Sequence, residues 1–442
     1  MSKPELTKSR ARAHRLPLHS GKSKNYLVRI WRVLFGSALG QILLIAISPI
    51  LSRIYEPEHF GVLAFYLSVF GVAAVVASLR LELAIPNARS GVEASQLTLL
   101  AAISGLVLAA ISIPVALAWH LLEANSTHPL SPYWWTIPFG IFLMGTSNAL
   151  TAWGTYFRMY KVVGQSRLMQ SIESASIQLI WPLIGYGPAG LIVGSVSAQA
   201  GGVYRLGSRF YALARRRPAI TNMEALWCAL KREARYPLIA MPASLIGRLA
   251  INAPAPMILW LFGAKVAGLI LITQRVIGLP TTILGRAAST PFLQAMGDAR
   301  RRGKSAVGIF LITMGLFAIP GLIMVAGILA IGPMVFALVL GEEWREAGIY
   351  AQVLAPMYFF QLIASPFAQA QSVAGRQARQ FILECSRFVL VVGTFLAAKA
   401  LDTSLMVTLA AYSVVMCIVY MMYIIGAAAS SRVPPSSSGQ TI

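Results

Sequence analysis

Residues 306–340 read AVGIFLITMGLFAIPGLIMVAGILAIGPMVFALVL, a stretch without a charged residue. About 20 apolar residues in a helix cross the roughly 30 Å hydrocarbon core of a bilayer, so this stretch is long enough to span a membrane. The basic run RRRGK at 300–304 comes just before it. An uncharged span bordered by a basic loop is typical of a membrane protein.

The rest of the chain repeats this alternation, and its apolar stretches predict twelve transmembrane helices. With 57% hydrophobic and only 12% charged residues, the chain has too little polar surface for a soluble fold. We therefore predict an all-α integral membrane protein. Its predicted spans are 29–53, 60–86, 95–119, 133–157, 168–186, 188–210, 237–262, 266–290, 306–340, 349–372, 380–399 and 403–427.

The Lys and Arg residues fall on alternate loops. If the N-terminus is cytoplasmic, 28 of the 37 lie in or beside cytoplasmic segments and only 4 in outer loops. Cytoplasmic loops retain Lys and Arg, so both termini are expected in the cytoplasm. The net charge of +22 then reflects topology and contact with anionic membrane lipids. Nucleic acid is not an expected partner, because no soluble basic domain remains to bind it.

The longest polar stretch inside the chain separates six predicted spans from six. Matching spacings indicate a duplication: Pro49, Gly61 and Gly71 recur as Pro256, Gly268 and Gly278, and Gly164 and Glu173 recur as Gly375 and Glu384. Because six spans, an even number, separate equivalent positions, the two copies cross the membrane in the same direction. The predicted segments are a disordered basic tail at 1–28, a six-helix lobe at 29–210, a basic cytoplasmic connecting loop at 211–236, a second six-helix lobe at 237–427 and a disordered tail at 428–442.

Arginines inside the predicted spans indicate where a site lies. An arginine at mid-bilayer costs about 2.5–3.5 kcal/mol even on the lenient insertion scale, so each must face water, an anion or a carboxylate. Arg275 and Arg286 share one face of span 8, and Arg248 and Asn252 lie one turn apart on span 7. With a polar stripe on span 1, they predict a cationic cavity. The predicted substrate-binding residues are Arg80, Arg248, Arg275, Arg286, Gln41 and Asn252.

For two arginines inside the predicted spans, Arg80 and Arg387, a nearby acidic residue has to be considered as a partner. On a continuous helix Arg80 and Glu82 point apart and cannot pair, whereas Arg387 and Glu384 are three residues apart and favour a structural ion pair. Arg80 and Arg286, towards the inner ends of their helices, are alternatively able to reach lipid headgroups. Glu173 occupies the place equivalent to Glu384, and we expect one of the two, with Glu173 favoured, to take part in ion coupling.

No cofactor, metal or catalytic group is predicted. The run Gly297 to Ser305 resembles a Walker A loop, but it has one residue too many between its glycines and follows a membrane helix rather than a strand. The histidines lack metal-ligand spacing, and no nucleophile and base are placed for acyl transfer. The chain is therefore not expected to be an enzyme.

Two phrases carry a family resemblance: SRIYEPEHFG at 52–61, followed by LELAI at 81–85, and GEEWREAG at 341–348. Arg235-Tyr236-Pro237-Leu238 and Leu279-Pro280 add to it. They resemble the polysaccharide-biosynthesis flippases of the multidrug/oligosaccharidyl-lipid/polysaccharide (MOP) exporter superfamily. The resemblance implies two pseudo-symmetric six-helix lobes around a central cavity. It also implies transport of a polyprenyl-pyrophosphate-linked oligosaccharide across a bacterial inner membrane, for O-antigen, capsule or exopolysaccharide, with other polysaccharide-assembly proteins as possible partners.

Three alternatives remain open from the sequence. A multidrug or cation antiporter of the same fold would favour acids and aromatic residues over arginines in its site. A membrane polymerase or ligase acting on lipid-linked sugars would need a sizeable outer loop with acid, base or metal ligands. A scaffold for envelope assembly would not require arginines inside the membrane.

Overall fold

The computed structural model of the protein describes residues 39–122, 131–302, 305–368 and 377–432. Within these ranges the chain forms helices, short helical turns and connections, and no strand. The all-α prediction is confirmed. The predicted tail at 1–28 and residues 433–442 lie outside the described residues.

The N-terminal lobe contains six helices. The first is interrupted by a turn at Ile47, and Pro49 lies in the first turn of the segment that follows, where a proline's missing N–H is tolerated. Two helix pairs, α3 with α4 and α5 with α6, pack along each other over much of their length. The bounds are α1 Leu39–Ile54, α2 Pro57–Ala77, α3 Gly91–Leu122, α4 Thr136–Tyr156, α5 Tyr160–Ile180 and α6 Ala189–Arg216.

A connector helix, α7 (Met223–Arg232), joins the two lobes. The side chain of Asn222 caps it by accepting a hydrogen bond from the Ala225 N–H at 3.2 Å. The predicted connecting loop is therefore largely helical, because α6 also continues into it as far as Arg216. The sequence interpretation overlooked α7 because its ten residues are far too short for a span.

The C-terminal lobe begins with a π-helical turn at Tyr236–Ala240 and contains the remaining helices. Gly263 has a φ of 86°, a conformation that favours glycine, and it divides the long α9 into two helical segments. The segment before Gly263 forms predicted span 7 together with the preceding helix α8. The segment after Gly263 forms predicted span 8. The bounds are α8 Met241–Asn252, α9 Pro254–Arg301, α10 Val307–Leu340, α11 Arg345–Ala364, α12 Gln377–Ala400 and α13 Leu405–Arg432.

These helices match the predicted spans. Seven segments of the described chain are long and apolar enough to cross a membrane by themselves, and one of them, Tyr236–Gly278, includes both span 7 and the start of span 8. Helices α1, α4, α5 and α6 complete the N-terminal lobe. The structure is compatible with twelve transmembrane helices in two lobes.

Several predicted boundaries are wrong: α5 is Tyr160–Ile180 instead of 168–186, and α9 continues to Arg301 instead of ending at 290. Two others have a visible local geometry. Span 2 was expected to run to 86, but α2 ends at Ala77 because Leu79 and Arg80 adopt left-handed φ values of 49° and 57°. The last helix continues to Arg432 instead of ending at 427. Ser430 and Ser431 are buried there and donate hydrogen bonds to the Gly426 and Ala427 carbonyls, one turn earlier.

Helices α2 and α9 cross at very close range. A Cβ on Gly61 would lie 1.9 Å from the carbonyl oxygen of Ala264, and one on Gly268 would lie 1.8 Å from that of Pro57. Only glycine permits such an approach of two backbones. Gly61 and Gly268 are equivalent in the predicted repeat, and equivalent residues meet where a two-fold axis passes. The lobes therefore pack around a pseudo-two-fold axis at this crossing.

Candidate anion-binding cavity between the lobes

We call the side of the protein that carries Arg89, Arg158, Arg217 and Arg302 the basic face, and the other side the opposite face. A cavity of about 390 Å³ lies between α1 and the helices of the C-terminal lobe. Helices α8, α9, α11, α12 and α13 all contribute to it. Its polar lining residues are Gln41, Gln274, Arg275, Tyr358, Gln361, Arg387, Tyr412 and Tyr420.

Two guanidinium groups are among the described residues that line this cavity. Arg275 was predicted as a binding residue, whereas Arg387 was assigned a structural ion pair. Arg275 Nη1 and Arg387 Nε are both buried without a hydrogen-bond partner in the described chain. Leaving charged groups desolvated and uncompensated costs several kcal/mol per ion. This arrangement is suited to an anionic ligand.

Uncharged polar groups accompany the two arginines. The Tyr358 hydroxyl and Gln361 Oε1, both on α11, are also buried without a hydrogen-bond partner in the described chain. Tyr412 and Tyr420 enter from α13, two helical turns apart on one face. The cavity therefore combines positive charge with hydroxyl and amide groups. The sequence interpretation missed these tyrosines, although their helical spacing within an apolar span was visible.

The predicted ion pair between Arg387 and Glu384 does not form in the described structure. Glu384 Oε1 instead accepts a hydrogen bond from the Tyr423 hydroxyl at 2.7 Å. A Cβ on Gly247 would lie 3.3 Å from Glu384 Oε2, so the carboxylate lies against α8 while Arg387 lines the cavity. Residues three apart on a helix share a face, but other partners decide where their side chains lie.

Helix α8 carries two further predicted residues. Arg248 is exposed and does not line the cavity, although Ile251 of the same helix does. Asn252 Nδ2 donates a hydrogen bond to the Arg248 carbonyl at 2.9 Å and lies beside Gly71 of α2. Arg286 lies on α9 between Arg275 and the basic face, and its side chain is outside the described residues.

Arg80 lies away from the cavity, in the turn between α2 and α3. Its Nη1 lies 3.0 Å from Glu82 Oε1, and Ser78 Oγ donates to Glu82 Oε2 at 2.6 Å. The expectation that Arg80 and Glu82 cannot pair is therefore wrong. It assumed a continuous helix, but Leu79 and Arg80 are left-handed and break it.

Glu173, the predicted coupling residue of the N-terminal lobe, faces α6. Its Oε2 accepts a hydrogen bond from the Gly201 N–H at 3.0 Å, and the side chain is half-buried. A Cβ on Gly201 would lie 2.3 Å from the same oxygen, so the carboxylate approaches the backbone of α6 closely. The structure places Glu173 inside the lobe and not at the cavity.

The lobes also meet at the opposite face. Ser52 Oγ donates to the Leu340 carbonyl at 2.8 Å, and Trp344 Nε1 donates to the Ser52 carbonyl at 3.0 Å. The Trp344 and Phe60 rings meet edge to face with centroids 5.2 Å apart. The two sequence phrases that carry the family resemblance are thus in direct contact. Sequence alone did not indicate this contact.

The fold is similar to that of transporters of the MOP superfamily. An inward-facing multidrug resistance MATE transporter has a TM-score of 0.68 at 15% identity, with 90% of this chain and 93% of that chain covered. A MOP transporter from Pyrococcus furiosus, described as having a binding pocket of reverse polarity that suggests a different function, has a TM-score of 0.61 at 17% identity, with 90% and 94% covered. An outward-facing MATE transporter has a TM-score of 0.60 at 16% identity, with 91% and 94% covered.

Residues 50–348 match the family described as "Polysaccharide biosynthesis protein". The match covers more than half of the chain, and the chain belongs to this family. A search of curated proteins finds no match.

Proposed function

We propose that the protein is a flippase that moves a polyprenyl-pyrophosphate-linked oligosaccharide between the leaflets of a bacterial cytoplasmic membrane. The product would serve surface polysaccharide synthesis. The observation that carries the proposal is the pair of guanidinium groups, Arg275 and Arg387, that line the cavity without a carboxylate among its described lining residues.

The chemistry of a lipid-linked pyrophosphate suits this cavity. Guanidinium forks bind phosphate oxygens in a bidentate manner, which a Lys ammonium cannot do. The buried Tyr358 hydroxyl and Gln361 amide lie beside them and can bond the first sugar or a phosphate oxygen. The polyprenyl chain remains in lipid between the lobes, because leaving the hydrocarbon would cost about 0.8 kcal/mol per CH₂.

Alternating access provides the route. The lobes rock about the crossing of α2 and α9, where Gly61 and Gly268 allow the backbones to touch. In the described structure the contact between Ser52 and Trp344 ties the lobes together at the opposite face. Opening of this contact would release the headgroup there. Protonation of an intramembrane carboxylate, Glu173 or Glu384, would reset the lobes.

The basic face is proposed to be cytoplasmic, with both termini on that side. This orientation is tested with single cysteines and an impermeant thiol reagent in intact cells, after replacement of the exposed Cys228. We expect labelling of Glu343→Cys and of Asn125→Cys, a position outside the described residues, and none of Arg217→Cys or Arg302→Cys. Labelling of Arg217→Cys from outside would overturn the orientation.

A cation antiporter is the second candidate, since the fold is also that of multidrug transporters. It is less well supported, because neither Glu173 nor Glu384 lines the cavity. An enzyme acting on lipid-linked sugars is not supported either, since no acid–base pair lies at the cavity among its described lining residues. We propose a transporter.

Binding to purified protein tests the substrate class. A short-chain polyprenyl pyrophosphate should raise the thermal midpoint, the monophosphate less, and the uncharged alcohol little. An organic cation of similar size serves as the comparison. Stabilisation by the cation and none by the pyrophosphate would favour the antiporter.

A further inference from the structure

The connector helix α7 is fixed to the N-terminal lobe. Leu226 and Ala229 are buried against it, and Arg232 pairs with Glu93 at the start of α3. The side chain of Gln96 donates a hydrogen bond to the Ala219 carbonyl, just before α7, at 2.8 Å. The helix is therefore held by apolar burial, an ion pair and a hydrogen bond.

A different stripe of α7 is left uncovered. Met223 and Trp227 are 76% and 56% exposed, although both are large and apolar. Lys231 continues the stripe at the same four-residue spacing, with Nζ 5.3 Å from the Trp227 ring centroid. Aromatic rings beside cationic groups are enriched at membrane–water interfaces.

A basic cluster precedes this stripe. Arg215, Arg216 and Arg217 at the end of α6 are exposed, and Arg215 lies over the Tyr211 ring at 5.6 Å. The ion pairs within the described residues use none of these three arginines and do not use Lys231. Their charge is therefore available to a partner.

The start of the next helix indicates where the hydrocarbon begins. Leu238 and Ile239 are 72% and 70% exposed and follow α7 by only a few residues. Large uncovered side chains at the start of a membrane helix belong in lipid. The connector consequently lies at the level of the headgroups.

We propose that the connector patch, formed by Arg215, Arg216, Arg217, Trp227 and Lys231, binds anionic phospholipid headgroups of the leaflet at the basic face. Its exposed cations complement the phosphates, and Trp227 inserts at the interface. The surface is separate from the cavity, so this inference does not depend on the transported substrate.

This binding would matter for transport. Helix α7 moves with the N-terminal lobe, because Arg232 and Leu226 attach it there, and the chain enters the C-terminal lobe at Tyr236. A lipid-bound connector anchors one lobe to the membrane surface while the other rocks. Binding of anionic lipid thereby fixes the depth in the membrane at which the two lobes move relative to one another.

The test uses the exposed Cys228 on α7 as a fluorophore site in full-length protein carrying Cys385→Ala and Cys417→Ala. The protein is reconstituted in phosphatidylcholine vesicles that contain either spin-labelled phosphatidylglycerol or spin-labelled phosphatidylcholine at equal fraction. We expect stronger quenching by the anionic lipid. Each neutralised arginine should lower its enrichment by about fivefold, and salt should weaken it.

The triple variant Arg215→Gln, Arg216→Gln, Arg217→Gln should lose the preference for anionic lipid. The matched control Lys161→Gln, Arg302→Gln, Arg432→Gln removes the same charge from exposed residues elsewhere on the basic face and should keep it. Equal quenching by both lipids in the unmodified patch would overturn the proposal, as would no quenching by either. Equal loss in the control would show a general surface charge effect and would also overturn it.

Discussion

The two lobes share a helical plan but contribute unequally to the cavity. Among the described lining residues, the C-terminal lobe supplies both guanidinium groups and the tyrosines, whereas the N-terminal lobe contributes from α1, with Gln41 as its polar residue. The repeat aligns Gln41, which lines the cavity, with Arg248, which does not. A symmetric scaffold thus carries an asymmetric site, and the phosphate is expected on the C-terminal side.

The two carboxylates show the same divergence. Glu173 accepts a hydrogen bond from a backbone N–H of the neighbouring helix, while Glu384 accepts one from the Tyr423 hydroxyl. The Tyr423 hydroxyl can accommodate a change in the protonation of Glu384 by rotating its O–H, whereas the helical Gly201 N–H is fixed, so a change in the protonation of Glu173 acts directly on the packing of α5 against α6. Equivalent positions in a repeat therefore need not have equivalent chemistry.

The largest expected effect comes from removing either of the two arginines that line the cavity. Arg275→Ala and Arg387→Ala should each weaken binding of a polyprenyl pyrophosphate by roughly 30-fold to several thousandfold, since truncating one partner of a buried charge pair costs about 2–5 kcal/mol. Lys should rescue each only partly, because the bidentate fork is lost. Binding isotherms of purified variants measure this.

Arg248→Ala provides the internal comparison, because this arginine is exposed and does not line the cavity. It should weaken binding less than either cavity variant. If Arg248→Ala were the most damaging of the three, the assignment of the phosphate to the cavity lined by Arg275 and Arg387 would fail.

The next effect concerns the contact that joins the lobes at the opposite face. Trp344 is 1% exposed, and Trp344→Ala should destabilise that contact by about 3–5 kcal/mol. Trp344→Phe keeps an aromatic ring of smaller size and loses the hydrogen bond to Ser52, worth about 1 kcal/mol, so it should be the milder change. A thiol at the cavity residue Gln274, made as Gln274→Cys, reports opening.

Labelling of that thiol from the opposite face should rise strongly in the Trp344→Ala background and weakly in the Trp344→Phe background. Unchanged labelling in both would mean that the contact does not close the cavity.

The dependence of transport on an ion gradient is expected to differ between variants of the two carboxylates, Glu173 and Glu384. Glu173→Gln should abolish the dependence of transport on the ion gradient, because an amide cannot exchange a proton. Glu384→Gln should retain part of it, with Tyr423 still able to hydrogen-bond the amide oxygen. Transport by Glu173→Gln that keeps its full response to proton and sodium gradients would contradict this assignment.

The smallest effect is expected in the N-terminal lobe. Gln41→Ala should weaken pyrophosphate binding by only about two- to tenfold, the size of one neutral hydrogen bond of about 0.5–1.5 kcal/mol. The same binding assay measures it. A loss as large as that of Arg275→Ala would mean that both lobes hold the phosphate equally.

Sequence predicted the fold well because hydropathy and charge directly determine membrane spans. The helical ends differed where local backbone geometry intervened, as at Leu79 and Arg80, whose left-handed conformation has no signature in the sequence. The break at Gly263 was predicted, since span 7 ends at 262 and span 8 begins at 266, but hydropathy does not show that one residue with a positive φ makes it.

The site was predicted only in part. Helix faces associated Arg275 and Gln41 with one cavity, and both residues line the cavity between the lobes. Helix faces gave the wrong partners for two arginines. For Arg387 the pairing depends on a residue far away in the chain, and for Arg80 it depends on a break in the helix. Arg387 lines the cavity because the Glu384 carboxylate accepts a hydrogen bond from Tyr423, on another helix, and does not pair with Arg387.

The most direct test of the central claim is flipping by purified protein in proteoliposomes. A polyprenyl-pyrophosphate-linked oligosaccharide is placed in both leaflets, and the glycan on the outside is removed with an enzyme that cannot cross the bilayer. Wild-type vesicles should lose nearly all the glycan, while vesicles with the Arg275→Ala, Arg387→Ala double variant should lose only the outer half. Equal, complete loss with this well-folded double variant would contradict the account.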